Sequence, residues 1–292
     1  MDTTTVKIDP QEEIDFMEVD ETDFGAFSLG EQIRHLEVEG FLVLPDVLDA
    51  GLIAALKAAT ADLPMHHKDY SEAQTYHHEP QCASEAVAEL IGHPPIGEFL
   101  KTLMGPDVVF THGLFTRTLA GSPGISMHTD GQPYGSSIFG YEGSSPRLLR
   151  VLYYLDDLPP ERAPFRLIPR SHLSFHAEAN PYVRYISHPQ EITICPKAGS
   201  VAMIPALLFH GTHPNRDTVP RELIQFGYRP AWAGPVDRVD EWDPGEVAKL
   251  PDAVRPFFGG RNTRLWDFGG GNKPANMASE APGMNPSRWA RE

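Results

Sequence analysis

Residues 201–229, VAMIPALLFHGTHPNRDTVPRELIQFGYR, decide the fold. Val201 to Phe209 is almost wholly apolar and runs into His210. Short apolar runs bounded by turn residues read as buried strands, here 200–204 and 206–210. His213-Pro-Asn-Arg-Asp217 is turn chemistry, and 221–229 reads as a returning strand. A hairpin centred near Asn215 and Arg216 would set His210 roughly opposite Arg221. Opposed residues of an antiparallel pair point to one face. If His210 points into a barrel, Arg221 does too. A lone histidine closing an apolar strand is more often a satisfied core residue than a ligand. An inward arginine, however, is costly unless a partner neutralises it. Two partners stay open: an internal acid, or a bound carboxylate suited to the guanidinium fork. Arg229, eight residues on, lies about 26 Å farther along a strand and cannot grip the same carboxylate.

The chain around this stretch changes character at about residue 107. Beyond it, short apolar runs alternate with Gly, Pro, Asn and Asp. Strands are expected at 107–119, 125–130, 148–155, 165–168 and 192–195, besides those above. Many short strands with such turns indicate a sandwich or barrel. Before residue 107, helical spacing recurs over 25–63 and 85–104, with a short strand at Gly40-Phe-Leu-Val-Leu and a His-rich loop over 64–84. Helices first and strands afterwards predict an α+β, mainly β fold with N-terminal helices against one sheet.

His210 needs companions to hold a metal. His-x-Asp/Glu triplets are common by accident: 13 histidines and 40 acids in 292 positions give about two by chance, and five occur. Four have the wrong setting. His35/Glu37 lies in a helical pattern, where residues i and i+2 diverge. His67/Asp69 and His77/Glu79 lie in the polar stretch, and His176/Glu178 follows a turn. His128/Asp130 ends an expected strand, where both side chains share a face about 6.6–7 Å apart at Cα. His128, Asp130 and His210 together form a 2-His-1-carboxylate set, the ligand pattern of non-haem Fe(II) oxygenases.

Bulk properties bound the rest. The net charge is -16, and residues 1–24 hold nine acids against one lysine. That segment reads as an acidic, partly disordered lead-in. The overall charge opposes nucleic-acid binding. No apolar run reaches membrane-spanning length, no secretory signal is legible, and two cysteines are too few for a disulfide framework. A cytoplasmic protein acting on a small molecule is expected, with no membrane partner.

With these residues in place, 24–232 resembles the phytanoyl-CoA dioxygenase family of Fe(II)/2-oxoglutarate oxygenases. The resemblance rests on Gly40-Phe-Leu-Val-Leu, then His128-Thr-Asp130, then Leu148 to Leu155 with Phe165-Arg-Leu-Ile-Pro-Arg-Ser-His172, then His210-Gly-Thr212 with Arg221 eleven positions after the histidine. It implies a double-stranded β-helix (a cupin-like jelly roll) over 25–232; residues 233–292, rich in Gly and Pro, lie outside the resemblance and read as an irregular extension packed on the core. It implies iron ligation by His128, Asp130 and His210. It assigns the distal carboxylate of 2-oxoglutarate to Arg221 with Thr212, and names Arg117 for the other end. Gln225 would face the same way as Arg221. Fe(II), 2-oxoglutarate and O2 would support hydroxylation of a small molecule with release of succinate and CO2. The carboxylate at position 130 argues against halogenation. Alternatives are another cupin-like metal enzyme without 2-oxoglutarate, or a non-catalytic binding protein on the fold. The chain departs from the family pattern at Thr129, at Arg170 and around Ala163-Pro-Phe165, which puts a phytanoyl-CoA-like substrate in question. Residues 131–147 are expected to contact substrate. Tyr153, Tyr154, Trp232 and Trp266 read as core or rim aromatics, and His112 and His172 as structural. Gly269 to Gly271 reads as a plain loop.

Overall fold

The structure, a computed structural model, describes residues 17–130, 148–173, 188–235 and 238–263. Its strands are β1 (Leu42–Leu44), β2 (His66–Lys68), β3 (Ser71–His78), β4 (Val108–Thr118), β5 (Ile125–His128), β6 (Leu149–Tyr154), β7 (Phe165–Leu167), β8 (Ile192–Ile194), β9 (Val201–Pro205), β10 (His210–Thr212) and β11 (Arg221–Pro230). They form two antiparallel sheets. The larger runs β1-β9-β6-β11-β4-β3-β2 and the smaller β5-β10-β7-β8. From β4 to β11 the chain passes repeatedly between the two sheets, which is a jelly roll: a double-stranded β-helix.

Alternation along the large sheet separates two faces. In β6, Val151 and Tyr153 point to one side and Arg150, Leu152 and Tyr154 to the other. The first side carries the helices. Tyr153 Oη donates to Leu90 O at 3.1 Å, and Tyr228 Oη on β11 donates to Ile91 O at 3.0 Å. Leu56, Leu90, Ile91, Ile96 and Leu100 join Phe110, Phe115 and Phe226 in one buried cluster there. Helix α1 (Leu29–Glu39) starts at a capping box of Ser28 and Glu31 and ends at Gly40, which has φ 86°. Helix α2 (Ala50–Thr60) is capped by Asp49, whose side chain accepts from Leu52 N–H. Past β11, Trp242, Val254, Phe257 and Phe258 pack on the same cluster, and a short helix spans Pro244–Lys249 within the expected irregular tail.

Three expectations differ from this arrangement. Residues 66–78 are a hairpin, not a loop, and β3 extends the large sheet by pairing with β4. Its sequence, SEAQTYHH, has no apolar alternation because the strand lies near the sheet edge. Residues 206–209 are a turn, not a strand. Pro205 ends β9, and Leu208 N–H closes back on Pro205 O at 3.0 Å. His210 and Arg221 are also not ladder partners. β10 pairs with β5 and β7, whereas β11 pairs with β4 and β6. After Thr212 the chain stays on the small-sheet side, with His213 N–H donating to Pro164 O and Asn215 N–H to Ser122 O. It crosses to the large sheet only at 216–220. No helix among the described residues is long and apolar enough to cross a membrane.

Candidate metal centre

β5 and β10 bring the three ligand types together. His128 ends β5 and His210 begins β10, and the two are directly paired across the ladder. Gly211 permits this approach, since a Cβ there would lie 2.4 Å from Ile125 O. The turn before β10 is pinned: Phe209 N–H donates to Ser171 Oγ at 2.9 Å, and Ile168 N–H donates to Phe209 O at 3.0 Å. Arg170, in that second turn, has φ 65°, a left-handed conformation that favours glycine. Its side chain is held to Glu39 at 2.8 and 2.9 Å. Asp130 N–H donates to Ala206 O at 2.8 Å and fixes the residue after the strand.

The imidazoles are oriented for ligation. Nδ1 of His128 meets Ser126 O at 2.8 Å, and Nδ1 of His210 meets Leu208 O at 2.9 Å. A carbonyl only accepts, so each Nδ1 carries the proton and each Nε2 presents a lone pair. The two Nε2 atoms lie 3.8 Å from Asp130 Oδ1 and 3.7 Å from Oδ2, respectively. All ligand atoms fall within 4.8 Å of one another. Burial pushes the His210 pKa down to about 4, so the ring is neutral at pH 7. Burial alone would raise the Asp130 pKa, but His210, Arg150 and His128 outweigh it and hold the carboxylate ionised. Two imidazoles and one carboxylate suit a ferrous ion.

A second polar cluster lies on the face of the large sheet away from the helices. Arg221 is 3% exposed. Its Nη1 donates to Ala163 O at 2.8 Å, while its Nε has no hydrogen-bond partner. No carboxylate among the described residues forms an ion pair with it. Burial accordingly pushes the guanidinium pKa down. Tyr154 Oη and Thr116 Oγ1 are also buried without partners. Register explains the cluster: Thr116, Leu223 and Tyr154 form one row across β4, β11 and β6, and Arg221 pairs with Thr118 in the next. Buried polar groups are otherwise satisfied as a rule. Two orphaned hydroxyls beside a cation with no acid partner among the described residues fit an incoming carboxylate. Thr212 Oγ1 accepts from Ile125 N–H at 3.0 Å, which ties β10 to β5 and leaves its own O–H free to donate elsewhere.

Arg117 is a correction. It lies on the opposite, helix-bearing face, where its Nε donates to Glu222 Oε1 at 2.8 Å. Period-two alternation sends Thr116 and Thr118 inward and Arg117 outward. Gln225 does share the face of Arg221, paired with Leu114 and Leu152. Arg229 spends its guanidinium on the carbonyls of Pro230, Ala231, Gly260 and Arg261. Tyr153 and Tyr154 are fully buried, and Trp232 is exposed. His172 is a turn residue bonded to Glu37 O. Segment 131–147, His176, Glu178, Trp266 and Gly269 to Gly271 lie outside the described residues.

Sequence reasoning missed Arg150. Its Nε lies 2.9 Å from Asp130 Oδ2. The signal was available: an arginine inside the apolar run 148–155 poses the same question as Arg221. His112, expected to be merely structural, contacts Arg150 from β4.

Known structures share this architecture. The epimerase SnoN, in complex with Fe3+, α-ketoglutarate and nogalamycin RO, superimposes with a TM-score of 0.61 at 20% identity, covering 82% of this chain and 95% of that one. HygX from Streptomyces hygroscopicus, with nickel, 2-oxoglutarate and hygromycin B bound, gives 0.59 at 18% identity, over 81% and 96% of the two chains. The α-ketoglutarate-dependent carbocyclase SnoK from nogalamycin biosynthesis gives 0.59 at 18%, over 84% and 96%. At these identities the likeness establishes the fold. No match was found among curated protein sequences. The family model for phytanoyl-CoA dioxygenase (PhyH) matches residues 36–223, well over half of the sequence, and the chain belongs to that family.

Proposed function

We propose that this protein is an Fe(II)/2-oxoglutarate-dependent dioxygenase that hydroxylates a small molecule. The observation that carries the reading is the buried Arg221, which has no acid partner among the described residues, on the same barrel interior as the His128–Asp130–His210 group. A metal site alone would serve many cupin-like enzymes. A buried guanidinium without an acid calls for an anionic ligand.

In this reading His128, Asp130 and His210 hold the iron. Arg221 binds the distal carboxylate of 2-oxoglutarate, with the hydroxyls of Tyr154, Thr116 and Thr212 as further donors. With both groups bound, the centre supplies an oxidising equivalent from O2 as 2-oxoglutarate is converted to succinate and CO2. The protein contributes fixed ligand orientation through the Ser126 and Leu208 carbonyls. It also contributes a largely apolar interior, with Leu223 between Thr116 and Tyr154 and Leu152 in the next row, that limits water. Similar folds host an epimerase and a carbocyclase, so the outcome depends on what the substrate presents to the metal. Hydroxylation is the simplest product of the shared first steps. Residues 25–232 form the catalytic domain in this account, and a cytoplasmic location suits both a ferrous centre and the free thiols of Cys82 and Cys195.

Anaerobic addition of Fe(II) and 2-oxoglutarate tests the reading. A weak visible charge-transfer band is expected, and His210→Ala should abolish it. Iron uptake without the band would favour a cupin-like enzyme that does not use 2-oxoglutarate. A panel of small molecules with succinate release as readout then identifies the substrate.

A further inference from the structure

Arg150 has no place in either the metal triad or the carboxylate cradle, yet the fold takes trouble to hold it. One terminal nitrogen contacts His112 Nε2. Its Nε sits 2.9 Å from Asp130 Oδ2, but the N–H does not point along that line, so the contact is an ion pair without a directed hydrogen bond. A guanidinium only donates, so His112 Nε2 must accept. Nδ1 of His112 then carries the proton and donates to Thr111 Oγ1 at 2.8 Å. Burial, with Arg150 beside it, pushes the His112 pKa down to about 3, which agrees with a neutral acceptor.

The backbone is shaped for this contact. The β4–β11 register slips between Gly227 and Tyr228: Gly227 pairs with His112 and Tyr228 with Phe110, leaving Thr111 without a partner on β11. Such a bulge re-aims side chains next to a site. Here it turns Thr111 and His112 together over Gly227, where a Cβ would come within 2.2 Å of the His112 ring and 2.5 Å of Thr111 Oγ1. Arg261 Nη2 donates to Thr111 O at 2.9 Å and supports the bulge from the C-terminal segment. A bulge, a glycine and a neutral histidine thus converge on one guanidinium.

We propose that Arg150 is a positioning residue that decides how Asp130 binds the metal. Its positive charge lies against Oδ2 and draws that oxygen, which leaves Oδ1 as the ligand atom the carboxylate offers. This rests on the iron and 2-oxoglutarate reading above. Carboxylates bind metals through one oxygen or both. A chelating Asp130 would consume a coordination position that the co-substrate needs. The guanidinium charge also makes the loaded centre more positive, which favours a dianionic co-substrate.

The test uses Arg150→Met and Arg150→Lys in the full chain, with thermal melting to verify folding. Co(II) is titrated into the metal-free proteins and its visible d–d spectrum recorded, then 2-oxoglutarate is added. Arg150→Met should still take up Co(II), with an altered d–d spectrum, and should bind 2-oxoglutarate about tenfold more weakly or worse. Arg150→Lys should recover part of both, because an ammonium can still hold Oδ2. A Met variant with the wild-type spectrum and wild-type 2-oxoglutarate affinity would overturn the proposal. So would loss of Co(II) binding in both variants, because Arg150 would then build the site rather than select one oxygen. Wild-type protein that takes up Co(II) but not 2-oxoglutarate would sink the co-substrate reading alone, since the Co(II) spectra still report on Arg150.

Discussion

Arg117 and Arg221 occupy neighbouring strands one residue out of step: Arg221 pairs with Thr118, and Arg117 with Glu222. The single step puts them on opposite faces, and their surroundings differ in kind. On the helix-bearing face, Arg117 and Lys57 both bind Glu222, at 2.8 and 2.9 Å, and Lys57 also reaches Asp156 at 2.7 Å. Each of these four charges has an opposite charge beside it. On the inner face, Arg221 is more deeply buried, yet it has one carbonyl and no acid among the described residues. A paired network is what a fold does to hold itself together. An unpaired buried cation costs stability, and a fold retains it where a ligand completes the pair.

The contrast can be broken experimentally. The largest effect is expected from Arg221→Leu. It should weaken 2-oxoglutarate binding by about 30-fold or more, the scale of losing one partner of a buried charge pair. The metal-free variant should melt no lower than wild type, because the unpaired charge is gone. Glu222→Gln should do the reverse. Denaturant melts should show a loss of about 2 kcal/mol, below the figure for fully buried pairs because Lys57 is 35% exposed. Calorimetry should show unchanged 2-oxoglutarate affinity. Tyr154→Phe should weaken 2-oxoglutarate by about 1.5 kcal/mol, the low end for one hydrogen bond to a charged group, with no loss of metal uptake. Arg261→Ala should have the smallest effect: a slight destabilisation in the same melts and a small change in the Co(II) spectrum, transmitted through Thr111 and His112.

Much of this contrast was legible before any coordinates, and each failure has its own physical cause. Strand positions from 107 onward follow from apolar runs and turn residues, so β4 to β9 and β11 fall close to their expected limits. His128 ends β5 as expected, whereas Asp130 lies two residues beyond the strand and is held by its own N–H to Ala206 O. The error was to treat 201–229 as one continuous hairpin. Nothing local says that a strand changes sheets, because the turn at Pro205–Leu208 is itself apolar. His210 and Arg221 were placed together for the wrong geometric reason: they are not ladder partners but lie on strands of opposite sheets. Arg117 failed because face was not counted along β4, although alternation from Phe115 would have sent it outward. β2 and β3 were unreadable because polar edge strands carry no hydrophobic period. Arg150 was readable in principle. Thr111, His112 and Gly227 were not, since a bulge is a property of register between two strands.

The central claim is that Arg221 waits for a carboxylate. The most direct measurement is the melting temperature of wild type and Arg221→Leu, each with Mn(II), with and without saturating 2-oxoglutarate. Ligands that bind only the native state raise it by mass action. The account predicts a clear rise for wild type and none for Arg221→Leu, with the variant at least as stable when no ligand is present. An equal rise in both proteins, or none in wild type, would contradict it.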